Sequence, residues 1–212
     1  MMYRYWTTGL LLGMTLTLSA VAEVKAQFEP RAESLLAQLA ETYDTYTEAN
    51  TFAIDYPGGW RVERLDDKYV RLMNYDPIDP VAPAGDRIKT EIQLIDEAPA
   101  VVVAQSLDTL QAENTQVNRY RVVTVDRQSG IRLWLGGLPG EFSHAIRTYV
   151  GYGDRQTALI ISYYVSPAEG QEAIALEREA ALLRIHDSFR KLMTAAASQS
   201  DESEAASPAQ TD

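Results

Sequence analysis

Apolar positions change their period several times along the chain, and each change marks an element. From Glu29 to about Ala49, the residues Leu35, Leu36, Leu39, Tyr43 and Tyr46 return every three or four positions behind Pro30. That spacing predicts an amphipathic helix with proline in its first turn. At Thr51 the period drops to two: Phe52, Ile54 and Tyr56 fall on one face of a strand, which Pro57, Gly58 and Gly59 stop. Alternation returns at 69–74 and again at 88–96, where Ile88, Thr90, Ile92 and Leu94 share a face. Between those two strands, YDPIDPVAPAGD reads as a loop, stiffened by Pro77, Pro80 and Pro83. Pro99 then opens a short helix reaching about Glu113, carried by Val103, Leu107 and Leu110.

Four strands follow, at 119–127, 131–137, 144–152 and 157–165. The first two flank Gln128-Ser129-Gly130, where glycine suits the left-handed backbone of a tight hairpin. The last two flank Gly153-Asp154-Arg155-Gln156. After Ser166 as cap and Pro167 in the first turn, a closing helix is expected as far as Leu192, with Leu182, Ile185, Phe189 and Leu192 as its buried stripe. The order helix, three strands, helix, four strands, helix, with short connections, predicts an α+β fold built on an antiparallel sheet of six to seven strands. The strand at 157–165 alternates Leu159, Ile161, Tyr163 and Val165 with Ala158, Ile160, Ser162 and Tyr164, so both faces of the sheet need cover. Helices on both faces are expected to supply it.

The ends read differently from the middle. MMYRYWTTG leads into LLLGMTLTLSAVA, an apolar run short for a membrane span and closed by the small-x-small order Ala20-Val21-Ala22. This predicts a signal peptide over 1–22, cleaved after Ala22, and hence an exported protein. From Thr194 to Asp212 the chain carries four acids, no base and no apolar period, which predicts a disordered acidic tail. One folded domain is expected over 28–193, and 46% apolar residues suffice for its core.

Charge and cysteine count narrow the chemistry. A formal charge of −11, with no compensating basic patch, repels nucleic acid and anionic membranes, so contact with a membrane is expected only through a partner. The absence of cysteine removes disulfides, thiolate metal sites, a cysteine nucleophile and a lipid anchor on cysteine.

The stretch TFAIDYPGGW, a strand ending in Tyr-Pro and followed by tryptophan, resembles the opening of the PsbP-like domain, a family of the cyanobacterial and chloroplast thylakoid lumen. The hairpin VVTVDRQSGIRLWL, the strands AIRTYVGYG and TALIISYYV, and the closing IHDSF extend the resemblance over about Thr47–Leu192. It implies an α/β/α sandwich around an antiparallel sheet, no cofactor, and a role as accessory or assembly factor of photosystem II. The chain departs from the cyanobacterial pattern in lacking a lipidated cysteine and in carrying the extra N-terminal helix.

Catalytic constellations fail one by one. His144 lies in a strand and His186 in the last helix, in neither H-x-H nor H-x-x-x-H spacing, so both read as ordinary packed histidines. Asp76, Asp79 and Asp86 lack the ligand order of a calcium loop and read as solvated. Neighbours in His186-Asp187-Ser188 do not face each other on a helix, and Ser143 and His144 are expected on opposite faces of a strand. No G-x-S-x-G elbow occurs, and neither Gly136-Gly137-Leu138-Pro139-Gly140 nor Gly151-Tyr152-Gly153 makes a phosphate cradle. No catalytic residue, cofactor site or metal site is therefore assigned.

What remains is a binding surface. Arg132 and Trp134 share one strand face, and Arg147 with Tyr149, and Ser162 with Tyr164, are expected on the equivalent face of later strands, a guanidinium and aromatic surface suited to a protein partner. The expected function is an exported, non-catalytic protein binding a membrane complex such as photosystem II, in the thylakoid lumen or periplasm. The alternatives are a periplasmic chaperone or adaptor for apolar client segments, and a carboxylate-dependent hydrolase.

Overall fold

The structure, a computed structural model, describes residues 42–192. The expected signal peptide at 1–22, the expected helix as far as residue 41 and the expected tail from Thr194 lie outside the described residues. The strands are β1 (Tyr43–Glu48), β2 (Phe52–Pro57), β3 (Arg61–Arg64), β4 (Tyr69–Met73), β5 (Ile88–Ile95), β6 (Gln116–Val125), β7 (Gln128–Gly136), β8 (His144–Tyr152), β9 (Gln156–Tyr164) and β10 (Arg190–Lys191). The helices are α1 (Pro99–Ala112) and α2 (Glu172–Asp187), with one 3₁₀ turn at Ala84–Asp86. A seven-stranded sheet runs β3-β4-β5-β9-β8-β7-β6, and a small sheet runs β1-β2-β10; every pairing is antiparallel. The fold is α+β, mostly antiparallel sheet.

Alternation along the strands sorts the core into two clusters. Val70, Leu72, Ile92, Ile146, Val150, Ala158 and Ile160 point to one side, where Leu182 and Ile185 of α2 and Phe52 and Ile54 of β2 close over them. The Phe52 and Phe189 rings stack there with centroids 5.5 Å apart. Leu133, Leu135, Ala145, Tyr149 and Ile161 point to the other side and pack on Val102 and Leu110 of α1. Over β3–β5 that second face carries ion pairs instead of a helix. Arg71 reaches Glu63 and Glu91, and Lys89 reaches Glu91, each at 3.1 Å. Each face thus has one helix as part of its cover: one side has α2 and a small sheet, the other α1 and a charged ladder. Charges on one face of β4 and β5 are satisfied by each other and by water, so no apolar lid is required there.

Three local expectations change. Residues 43–48 continue no helix; they form β1, paired with β2 from Tyr43↔Pro57 to Glu48↔Phe52. Threonine and tyrosine favour a pleated surface, and Asn50 takes the left-handed conformation (φ 59°) that closes the hairpin. The β6–β7 turn falls at Asp126 and Arg127 (φ 50° and 60°), two residues before the expected site. Gly130 lies inside β7, where a Cβ would come 2.4 Å from the Tyr149 carbonyl oxygen of β8; close approach of strands, not a turn, uses this glycine. Finally, Gly170 (φ 86°) separates Pro167 from α2, which starts at Glu172 and ends at Asp187. Past it, β10 joins β2, a pairing that no periodicity announces because it is two residues long.

Candidate functional site

The residues singled out for partner binding divide between the two faces. Arg132 and Trp134 lie under α2, 3% and 9% exposed. Arg132 Nε–H donates to Thr148 Oγ1 (2.8 Å) and its Nη2 to Asp187 Oδ1 (2.5 Å). Arg147 and Tyr149 point the opposite way, toward α1, where Arg147 Nη1 and the Tyr149 hydroxyl both reach Ser106 Oγ, each at 2.5 Å. Register explains the split, since Arg132 pairs with Thr148 and Leu133 with Arg147. The four side chains thus form two internal contacts, one to each helix, and share no surface. Ser162 and Tyr164 lie on the α2 side, Ser162 fully buried and Tyr164 packed against the core.

His186 and Ser162 belong to a buried polar chain. Thr148 Oγ1 accepts from Arg132 Nε–H and is hydrogen-bonded to His186 Nδ1 at 2.7 Å. His186 Nε2 is hydrogen-bonded to Ser162 Oγ at 2.9 Å, and Ser162 Oγ meets Thr90 Oγ1 at 2.7 Å. Burial, and secondarily the Arg132 charge, hold the imidazole pKa well below its ordinary value, so the ring is neutral. This chain ties α2 to four strands and has no exposed member to meet a substrate.

The other candidates resolve individually. Ser143 precedes β8 in a bend, so its Oγ meets His144 Nδ1 at 2.8 Å; the expected separation on opposite strand faces is corrected. Burial lowers the His144 pKa. Asp187 holds Arg132, whereas Ser188 Oγ accepts the Asp55 N–H (2.8 Å) and donates to the Ile185 carbonyl (2.7 Å). Asp76 pairs with Arg61 at 2.8 Å, and Asp86 lies 3.7 Å from Arg178. Among the described residues, no group of three or more His, Cys, Asp or Glu side chains is placed to hold a metal ion. Glu48 and Asp96 have lowered pKa values, through hydrogen bonds from Tyr46 and Lys68 respectively. Two open clefts of about 560 and 410 Å³ meet at Tyr152 and Lys191. Their shared wall is internally bonded: Asp126 Oδ2 accepts both the Tyr152 hydroxyl and the Lys191 N–H at 2.9 Å.

Among the described residues, the outer edge of the large sheet carries exposed apolar side chains in a row. β6 pairs with β7 and, among the described residues, has no strand on its other side. Along it, Val117, Tyr120 and Val122 stand 43%, 71% and 73% exposed on the α1 side, over Leu135, Leu133 and Ile131. Arg119 and Arg121 take the α2 side. The Arg119 guanidinium sits 3.8 Å from the Trp134 ring centroid and pairs with Glu179, which also accepts the indole N–H at 3.1 Å. Trp134 thus supports the edge from behind. A register shift between Val117 and Arg119 places Asn118 over Gly136. Sequence reasoning assigned RYRVVTV to a strand, but an edge and a central strand share the same alternation, so only topology reveals the exposure.

Among the described residues, no helix is long and apolar enough to cross a membrane. No protein-family model matches the chain, and no curated protein matches it. Solved structures show distant likeness. The solution structure of cyanobacterial PsbP (CyanoP) from Synechocystis sp. PCC 6803 is 12% identical with a TM-score of 0.45, covering 71% of this chain and 92% of that one. A Pseudomonas aeruginosa protein of unknown function is 10% identical with a TM-score of 0.38, over 67% of this chain and 95% of that one. Human StAR-related lipid transfer protein 5 is 10% identical with a TM-score of 0.24, over 78% of this chain and 94% of that one. At these levels the likenesses assign neither family nor function.

Proposed function

We propose that this chain is an exported, non-catalytic PsbP-like protein that binds a protein partner in the thylakoid lumen or periplasm, as an accessory or assembly factor of a membrane complex such as photosystem II. The observation that carries the binding role is the β6 edge, where Tyr120 and Val122 stand in solvent beside Arg121, while Arg132, Trp134, Arg147 and His186 are engaged in internal contacts. Exposed aromatic and guanidinium groups on an edge strand suit a protein partner. Nucleic acid is disfavoured by the charge of −11. Photosystem II as the complex follows the resemblance carried by TFAIDYPGGW and the hairpins after it. The exposed apolar stripe also favours a second reading, an adaptor that shields apolar client segments.

The test is capture of the tagged protein from cross-linked membranes of its host, in parallel with a Tyr120→Asp/Val122→Asp variant. Enrichment of photosystem subunits above an unrelated acidic exported protein, lost by about tenfold in the variant, is the expected result. Enrichment of one soluble client instead selects the adaptor. Capture equal to the control overturns the binding role.

A further inference from the structure

We propose that β6 receives its partner as an added β-strand, and that the segment it selects alternates acidic with apolar residues. This rests on the partner-binding reading and specifies the chemistry of the partner. β6 is ten residues long, whereas the opposite edge strand, β3, has four. Both arginines of β3 are spent, Arg61 on Asp76 and Arg64 on Glu48, each at 2.8 Å. A long strand that, among the described residues, pairs on one side only offers a row of outward backbone donors and acceptors to another chain.

The side chains of β6 determine which chain fits. A neighbouring strand places its residues alternately beside the two faces. On the α2 side it would meet Arg121, beside an Arg119 that Glu179 and the Trp134 ring already hold, and β6 itself carries no acid. On the α1 side it would meet Val117, Tyr120 and Val122. Carboxylates on the first side and apolar groups on the second complement both. A second copy of β6 does not fit, because antiparallel self-pairing sets arginines against arginines on one face. The chain's own acidic stretch Ser200-Asp201-Glu202-Ser203-Glu204 supplies charge without the apolar alternation.

The probe is an acetylated, amidated peptide, Thr-Glu-Val-Glu-Val-Glu-Val-Thr, with a control in which lysine replaces each glutamate. Amide hydrogen exchange of the full chain is followed with each. The glutamate peptide is expected to slow exchange within 116–125 and to bind about tenfold more tightly than the lysine peptide, the preference weakening with salt. Arg121→Glu, at an exposed position, is expected to reverse the preference, a gain of binding that misfolding does not produce. Unchanged exchange in 116–125 with both peptides, or equal binding of the two, overturns the proposal. If membrane capture enriches a partner and Arg121→Glu leaves that capture intact, strand addition fails while the partner-binding reading stands. If the glutamate peptide binds and no partner is captured, the edge chemistry stands and the partner-binding reading fails.

Discussion

Acidification should destabilise this fold through His186 before its carboxylates contribute much. The imidazole is enclosed by Thr148 of β8, Ser162 of β9 and the Arg132 guanidinium of β7, with Asp187 beyond the arginine. The ring is fully buried, and protonating it would place an unsolvated cation beside the Arg132 guanidinium. The folded pKa is therefore depressed, while in the unfolded chain it returns to 6.5. Below pH 6.5 the unfolded state binds one more proton at this site than the native state, so stability is complete above that pH and falls as pH drops. Each pH unit costs up to about 1.4 kcal/mol, and lowering the pH from 7.5 to 5.0 removes up to about 2 kcal/mol through this one group.

The assay is urea unfolding followed by tryptophan fluorescence at several pH values, with His186→Gln and His144→Gln as partners. His144, whose pKa burial also lowers, contributes in the same direction. His186→Gln should flatten the dependence by up to about 2 kcal/mol over this interval, and His144→Gln should leave that share in place. In the folded protein the His186 ring resonance should titrate well below 6.5. A His186→Gln variant with the unmodified pH dependence, or a folded-state His186 resonance titrating near 6.5, would refute the reasoning.

Three further outcomes follow from contacts already described. Thr148→Val, which preserves shape but leaves Arg132 Nε and His186 Nδ1 without their shared partner, should lower stability by about 1–3 kcal/mol in the same urea assay. Gly130→Ala should cost about 1–3 kcal/mol, because its Cβ meets the Tyr149 carbonyl oxygen at 2.4 Å; a midpoint equal to that of the unmodified protein would show that β7 and β8 separate freely. Ser188→Ala should cost about 1 kcal/mol and speed exchange of the Asp55 amide, which loses its acceptor where α2 meets β2.

The chain by itself determined where most strands lie and which residues are apolar toward a core. Phe52 and Ile54, Ile88 and Ile92, and Leu182 and Ile185 were legible because a period of two or of three to four follows directly from backbone geometry. The helix opened by Pro99 was legible for the same reason, with proline at its first turn. Tyr43 and Tyr46 misled because two tyrosines three apart fit a helix as well as a strand, and only pairing with β2 decides between them.

Tertiary structure decided the rest. Whether Arg132 and Arg147 face the same way depends on the register between β7 and β8, and register is a relation between segments. His186, Thr148, Ser162 and Thr90 come from four separate elements, so their hydrogen-bonded chain exists only once the sheet and α2 are assembled. The exposure of Tyr120 and Val122 likewise belongs to strand order. A run such as RYRVVTV is buried between neighbours or open on one side according to where the sheet stops, and among the described residues it stops at β6.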